Sequence, residues 1–504
     1  MPLRSCVPRH PRGAGPLLAA LTAALLSACV AVPPEPHAVA RPTLPAAQLP
    51  ADLAAVPSAN EPAWPAERWW RRYGDAQLDA LLELGLQGSP SLQAAAARIG
   101  AAHAALTQAR AADEAEPTLA GGVSRERYSS NGLFPAPIGG ATFNDFSVQL
   151  QGRKTLDLWG GQRARVAAAV GEEAARRAEL AQSRQLLAAA IVQTYWELQS
   201  DWALAAEQAA MAGLQQQLVE DRGRRVAHGL LAQDDQLAEQ QQLAALKRRE
   251  ARSAADALQQ REALRALLGA GADALADLVP RPLPAGGAMP PSALGFELLA
   301  RRADLQAARW RAEASMSRVE VAQAAFYPQL DLGAAVGLDS LTLPHLLRSA
   351  SRTFTLAPGL SLPVFSGAAL RGQLGSARSE RDERVADYDQ QVLDAVRDVA
   401  QAVAAQRGLQ AEAREQARAT AAVELRREHA QRRLSQGLSD RASLLQAELA
   451  GRQEREAALQ LQREQLRAEV ALVRALGGGV HTETEWAAAA AAPSPTPSDP
   501  EITR

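Results

Sequence analysis

Few side chains in this sequence have the type and spacing to do chemistry. The only lysines, Lys154 and Lys247, do not follow a glycine, so there is no Gly-Lys-Ser/Thr phosphate loop. The 7 histidines are scattered, with no His-Glu-x-x-His pair, and Cys6 and Cys29 are the only cysteines, too few for a thiolate metal site. No Gly-x-Ser-x-Gly nucleophile elbow occurs. Carboxylates are plentiful but sit beside arginine at helix-surface spacing, as in Arg381-Asp382-Glu383-Arg384, a solvated face with i,i+4 pairs. An enzyme therefore has little support, and no cofactor is implied. A net charge of −2 gives no reason to expect nucleic acid as a partner. What remains is one thiol, Cys29, and three carboxylates, Asp234, Asp235 and Asp440, each just past a Gly-Leu pair.

The thiol is positioned by the N-terminus. Arg4, Arg9 and Arg12 precede an apolar run from Leu17 to Val30, shorter than the roughly 20 residues a membrane-spanning helix needs. That layout predicts a secretory signal. Its end, Leu26-Ser27-Ala28-Cys29, resembles the lipobox of bacterial lipoproteins. The resemblance implies removal of a signal peptide at 1–28 and acylation of Cys29; the alternative is ordinary cleavage after a small residue, with Cys29 incidental. Several acyl chains together anchor a protein stably where one does not. Residues 29–62, rich in Pro and Ala, then form an extended tether.

The rest of the 504 residues is 47% hydrophobic, mostly Ala and Leu, with only 4% aromatic, which favours helices. A stretch from Gly161 to about Ala227 has no proline and almost no glycine; as a helix it would run about 100 Å. His228-Gly229-Leu230 breaks it, and a second helix from about Gln233 to Leu268 completes an antiparallel hairpin. The same order then returns about 210 residues later. Ala303-Asp304-Leu305-Gln306 echoes Pro90-Ser91-Leu92-Gln93, and Tyr327-Pro328 echoes Glu116-Pro117. Phe365-Ser366-Gly367 echoes Trp159-Gly160-Gly161, and Gln436-Gly437-Leu438 echoes His228-Gly229-Leu230. The chain divides into a first repeat at 63–274, a Pro/Gly linker at 275–291, a second repeat at 292–479 and a low-complexity tail at 480–504, expected to be disordered.

Each repeat carries two strands ahead of its long helix. Phe146, Val148 and Leu150 alternate with Ser147, Gln149 and Gln151, and Phe354, Leu356 and Leu360 alternate with Thr353, Thr355 and Ser361. This is the pattern of a transmembrane β-barrel segment, and equally of a half-buried strand in a soluble sheet. Nine of the twenty aromatics cluster around these strands, among them Tyr128, Phe143, Trp159, Tyr327 and Phe365, as an interfacial girdle would. Four strands cannot close a barrel, and an open edge cannot stay unpaired in lipid, so a membrane role requires several copies. Three copies give twelve strands and room for a wet lumen. The fold class is thus mainly α with a small transmembrane β part, built as a duplicated strand-strand-long helix-helix unit.

Taken together, the lipobox at Cys29, Trp69-Trp70 with Tyr73-Gly74-Asp75 and Leu78, the two Leu-Gln helix starts, Tyr327-Pro328, the Leu156-Asp157-Leu158-Trp159-Gly160 joint and the twin Gly-Leu turns resemble TolC-like outer-membrane efflux proteins, specifically the NodT-type lipoprotein channels. The resemblance implies a homotrimer in outer-membrane lipid, with a β-barrel and a periplasmic α-helical barrel. It also implies two partners: a periplasmic adaptor (membrane fusion) protein and an inner-membrane resistance-nodulation-division transporter. The function implied is a passive duct of a tripartite pump exporting small molecules or drugs. A duct for type I protein secretion shares the fold, and an acylated periplasmic adaptor is a rival of a different class. By the same resemblance, Arg225, Gly229, Leu230, Arg433, Gly437 and Leu438 form the periplasmic tip where adaptors dock, and Asp234, Asp235 and Asp440 line a gate. Gly437 and Asp440 also suit a helix C-cap and an N-cap. Trp159, Gly160, Phe365 and Gly367 mark the strand-to-helix joints.

Overall fold

The computed structural model describes residues 31–35, 65–285, 301–363 and 365–479. Cys29, the signal segment, most of the tether and the tail lie outside them. The elements follow in the order α1 (Ala76–Gly88), α2 (Pro90–Ala111), β1 (Glu116–Arg127), β2 (Thr142–Leu156), α3 (Gly161–Ala227) and α4 (Gln233–Leu268). After the linker come α5 (Ala303–Ala324), β3 (Gln329–Ser340), β4 (Arg352–Ser361), α6 (Gly367–Ser435) and α7 (Arg441–Ala475). Helix, two strands, long helix and shorter helix therefore occur twice, as the echoes predict. Among the described residues no helix is long and apolar enough to cross a membrane.

The chain divides into two compact units. The first contains the sheet, whose antiparallel order is β1-β2-β3-β4, leaving β1 and β4 as free edges. Directly paired residues project to the same side of an antiparallel sheet, and the register sorts the two faces, with Lys154 beside Leu332 and Pro358 as a charge set among the apolar rows at the joint end. One face carries the rows Leu119–Leu150–Val336–Phe354, Pro117–Gly152–Ala334–Leu356 and Leu156–Leu330–Leu360. The other carries Thr118–Gln151–Ala335–Thr355, Ala120–Gln149–Gly337–Thr353 and Gly122–Ser147–Asp339. Nothing among the described residues covers the apolar face: Leu119 is 72% and Phe354 87% exposed. On β2 this face runs from Leu156 to Phe146, about 33 Å along the strand at the usual rise, or about 25 Å once tilted by about 40°.

The aromatics depart from a simple girdle. Tyr128 packs edge-on against Phe134 and Phe143, with ring centroids 5.4 and 5.9 Å apart. Register places Phe143 on the polar face, opposite Glu126, so this cluster steadies the base of the β1–β2 loop on that side. Edge-to-face contact gives the rings a partner that an isolated strand position would lack.

The second unit is helical and has the larger core. Trp69, Trp70, Leu78, Leu82, Ile191, Tyr195, Trp196, Leu264, Leu268, Leu466 and Val470 bury together. Asp75 caps α1, accepting from the backbone N–H of Gln77 and Leu78 at 2.9 and 3.2 Å, and the Tyr195 hydroxyl donates to its second oxygen at 2.6 Å. These contacts explain physically why the Trp-Trp and Tyr-Gly-Asp residues stand where they do. The described part of the linker, 275–285, is fastened along this core. Gln462 donates to the carbonyls of Leu283 and Pro284, and Gln199 accepts from the Arg281 N–H.

One sequence expectation fails here. Acidic side chains that sequence spacing places on solvated helix faces include a buried set: Asp201, Glu456 and Glu469 are all at most 5% exposed. Each is matched by a polar partner on another helix or turn. Arg463 donates to Asp201 at 2.8 Å, Gln208 and Arg249 donate to Glu456 at 2.7 and 3.0 Å, and the Tyr73 hydroxyl donates to Glu469 at 3.0 Å. Along α7, Leu445, Leu459, Leu466 and Val473 fall at multiples of seven, and Arg452, which interrupts that apolar seam, pairs with Glu207 at 3.1 Å. A heptad seam tolerates such layers because each charge meets its complement, and they fix register.

Candidate functional site

At the joint end of the sheet, Asp157 sits between β2 and α3 and accepts from the backbone N–H of Gln162 and Arg163 at 3.0 and 2.9 Å, capping the long helix at once. Gly160 takes φ +77°, a conformation that strains any side chain-bearing residue. A Cβ on Gly161 would lie 2.8 Å from that of Ala324, so the glycine pair lets α3 start against the end of α5. Trp159 stacks on Tyr327, centroids 4.6 Å apart, and its indole N–H donates to the Pro328 carbonyl at 2.7 Å. The repeat-related joint differs. Gly367 opens α6, but the Phe365 side chain is 100% exposed. Its counterpart across the sheet would have to come from β1, which in a single copy is the opposite edge.

At the far ends of the hairpins, within the helical unit, the two turns are built alike. The Gly229 N–H bonds the Val226 carbonyl and the Leu230 N–H bonds the Arg225 carbonyl, both at 2.9 Å. Gly437 and Leu438 repeat the pattern on Leu434 and Arg433 at 3.0 and 2.8 Å. With φ of +68° and +72° on the glycines, both are Schellman C-caps. Arg225 and Arg433 stand in the last turns of α3 and α6, where the helix dipole favours cations. Leu230 and Leu438 are about 70% exposed. The turns thus present two bare leucines over two arginine-bearing helix ends.

The three carboxylates separate into two environments. Asp440 is the N-cap of α7, accepting from the Ser443 N–H at 2.9 Å and its hydroxyl at 2.6 Å. Its other oxygen takes a bond from Arg225 at 2.8 Å, tying the first hairpin to the second. The Ser443 bonds, and then Arg225, hold the Asp440 carboxyl well below its usual range. Arg225 also reaches Asp221 at 3.0 Å. Asp234 and Asp235 lie exposed in the first turn of α4, where acidic side chains suit the helix N-terminus. The Arg225–Asp440 link escaped sequence reasoning, since the two residues are 215 apart in the chain and only packing of the hairpins joins them. Among the described residues no group of His, Cys, Asp or Glu is placed to hold a metal ion.

A sheet with one bare apolar face and two open edges, paired with very long helical hairpins, defines a class: the chain belongs to the outer membrane efflux protein family, whose model matches residues 81–270 and 294–478. Among curated relatives, it is 34% identical to the multidrug resistance outer membrane protein MdtP of Escherichia coli strain K12, over 82% of this chain and 87% of that protein. It is 33% identical to the putative multidrug resistance outer membrane protein MdtQ of Shigella flexneri, over 90% and 96%. Its fold matches the outer membrane protein VceC of Vibrio cholerae with a TM-score of 0.75 and 32% identity, covering 83% of this chain and 100% of that one. The outer-membrane channel OprN gives 0.79 at 26% identity, over 90% and 99%. The protein is accordingly an outer-membrane efflux channel, a conduit and not an enzyme, and the adaptor alternative falls away.

Proposed function

We propose that three copies of the chain close into a twelve-stranded outer-membrane barrel, with α3, α4, α6 and α7 of each copy contributing to a periplasmic helical barrel. The single observation that carries this reading is the four-stranded sheet, with a segregated apolar face and free edges at β1 and β4. Edges left open in lipid would strand a row of backbone groups, each costing several kcal/mol. Acyl chains on Cys29, after removal of 1–28, would hold each copy at the membrane. The tip residues Arg225, Gly229, Leu230, Arg433, Gly437 and Leu438 would receive a periplasmic adaptor, which links the duct to an inner-membrane resistance-nodulation-division transporter. Exposed leucines over helix C-termini suit a helical hairpin partner. Asp440, locked to Arg225, would fasten the closed duct, while Asp234 and Asp235, exposed at the start of α4, would face cations. Purified chain in detergent should run as a heat-sensitive trimer and conduct ions in a planar bilayer. A monomer that never enters lipid would end this reading. For the anchor, Cys29→Ser should abolish metabolic labelling with palmitate.

A further inference from the structure

The apolar face of the sheet does not stay apolar to its loop end. Beyond Val123 on β1, the next residues on that face are Arg125 and Arg127, and β4 begins on the same face with Arg352, in the row Gly121–Val148–Leu338–Arg352. The acidic residues of this end, Glu126, Asp145 and Asp339, all fall on the opposite, polar face. The three arginines are exposed, and none has a carboxylate partner among the described residues. The adjoining loop adds Arg348 and the bare Leu343 and Leu347, the latter 85% exposed. Cations with nothing to neutralise them thus rim the apolar band at one end, with acids excluded from that side.

Closure sharpens the point. β1 runs toward the loop end and finishes at Arg127, while β4 starts from that end at Arg352. Antiparallel pairing of these two free edges brings Arg352 of one copy beside Arg125 and Arg127 of the next. Like charges set opposite one another across strands are destabilising, so the junction calls for an anion. An aqueous anion would find itself on the side that also carries the apolar rows. A lipid with a phosphate headgroup satisfies both: its chains cover the band, and its phosphate meets guanidinium forks that bind it in bidentate fashion.

Resting on the membrane-barrel reading above, we propose that each junction between copies binds a phosphorylated lipid through Arg125, Arg127 and Arg352. The lipid acts as a clasp that stabilises the trimer.

The full-length chain is placed in nanodiscs of phosphatidylcholine containing either a bis-phosphorylated glycolipid or its dephosphorylated form. Native mass spectrometry reads retained glycolipid, and the temperature of trimer dissociation reads the clasp. The phosphorylated form should be retained and should raise that temperature. Arg125→Gln, Arg127→Gln and Arg352→Gln should each weaken retention roughly fivefold, and the Arg→Lys counterparts, which keep the charge but lose the fork, should weaken it less. Equal retention of the two glycolipids, or unchanged retention by the triple Gln variant, overturns the proposal. So does equal stabilisation by inorganic phosphate in phosphatidylcholine alone, which would make the ligand a free anion. A chain that enters discs of neither composition overturns the membrane reading itself, and the clasp with it.

Discussion

A charge placed on either face of the sheet separates a lipid-facing surface from a lumenal one. Leu150 lies in the central row Leu119–Leu150–Val336–Phe354, near the middle of the apolar band between Leu156 and Phe146. An arginine at the lipid midplane of a membrane barrel costs about 2–4 kcal/mol. Leu150→Arg would enter three times in a trimer, giving about 6–12 kcal/mol if the sites act independently. Ser147, three residues earlier, is paired with Gly122 and Asp339 on the polar face, so Ser147→Arg meets a carboxylate and, if that face is wet, changes stability by about 0.5 kcal/mol or less. The assay is the fraction of chain recovered from outer-membrane extracts as a heat-modifiable trimer. Leu150→Arg should lose nearly all of it, and Ser147→Arg should match the wild type. Equal trimer yields from the two variants, or loss confined to Ser147→Arg, would refute the assignment of faces.

Gly437→Pro should abolish export while trimers persist, because proline cannot adopt φ +72° and lacks the N–H that bonds Leu434; drug susceptibility and gel mobility of the same strain read both. Asp440→Ala removes the α7 cap, at a cost of about 1 kcal/mol, and frees Arg225, so channel conductance in bilayers should rise. Because the Asp440 carboxyl is depressed, its stabilisation is present above about pH 4 and lost only as pH falls further, so conductance between about pH 5 and 8 should not change through this group. Tyr195→Phe should cost about 1.5–3 kcal/mol, read by urea melts of the detergent-solubilised chain, since it takes a donor from the Asp75 carboxylate. Burial, then the bond to Asp75, raises the Tyr195 hydroxyl, and burial beside Glu469 raises Tyr73. Their stabilisation is therefore complete below about pH 10 and lost above it, and the phenylalanine variant should show a flatter alkaline loss.

The sequence alone determined the order of elements and their doubling. Proline-free and glycine-poor stretches leave a chain little choice but helix, and Gly229 and Gly437 mark its ends because only a left-handed residue closes those turns. It also determined which strand residues share a face, since alternation is a property of the strand itself. Tertiary structure decided what local patterns cannot encode. Register aligned four separate alternations into one apolar surface and put Arg125, Arg127 and Arg352 on it. Packing of the hairpins joined Arg225 to Asp440 and buried Glu469, Glu456 and Asp201, which by spacing alone read as solvated. Helical periodicity says which residues lie on one side of a helix, but which side meets a neighbour depends on partners hundreds of residues away.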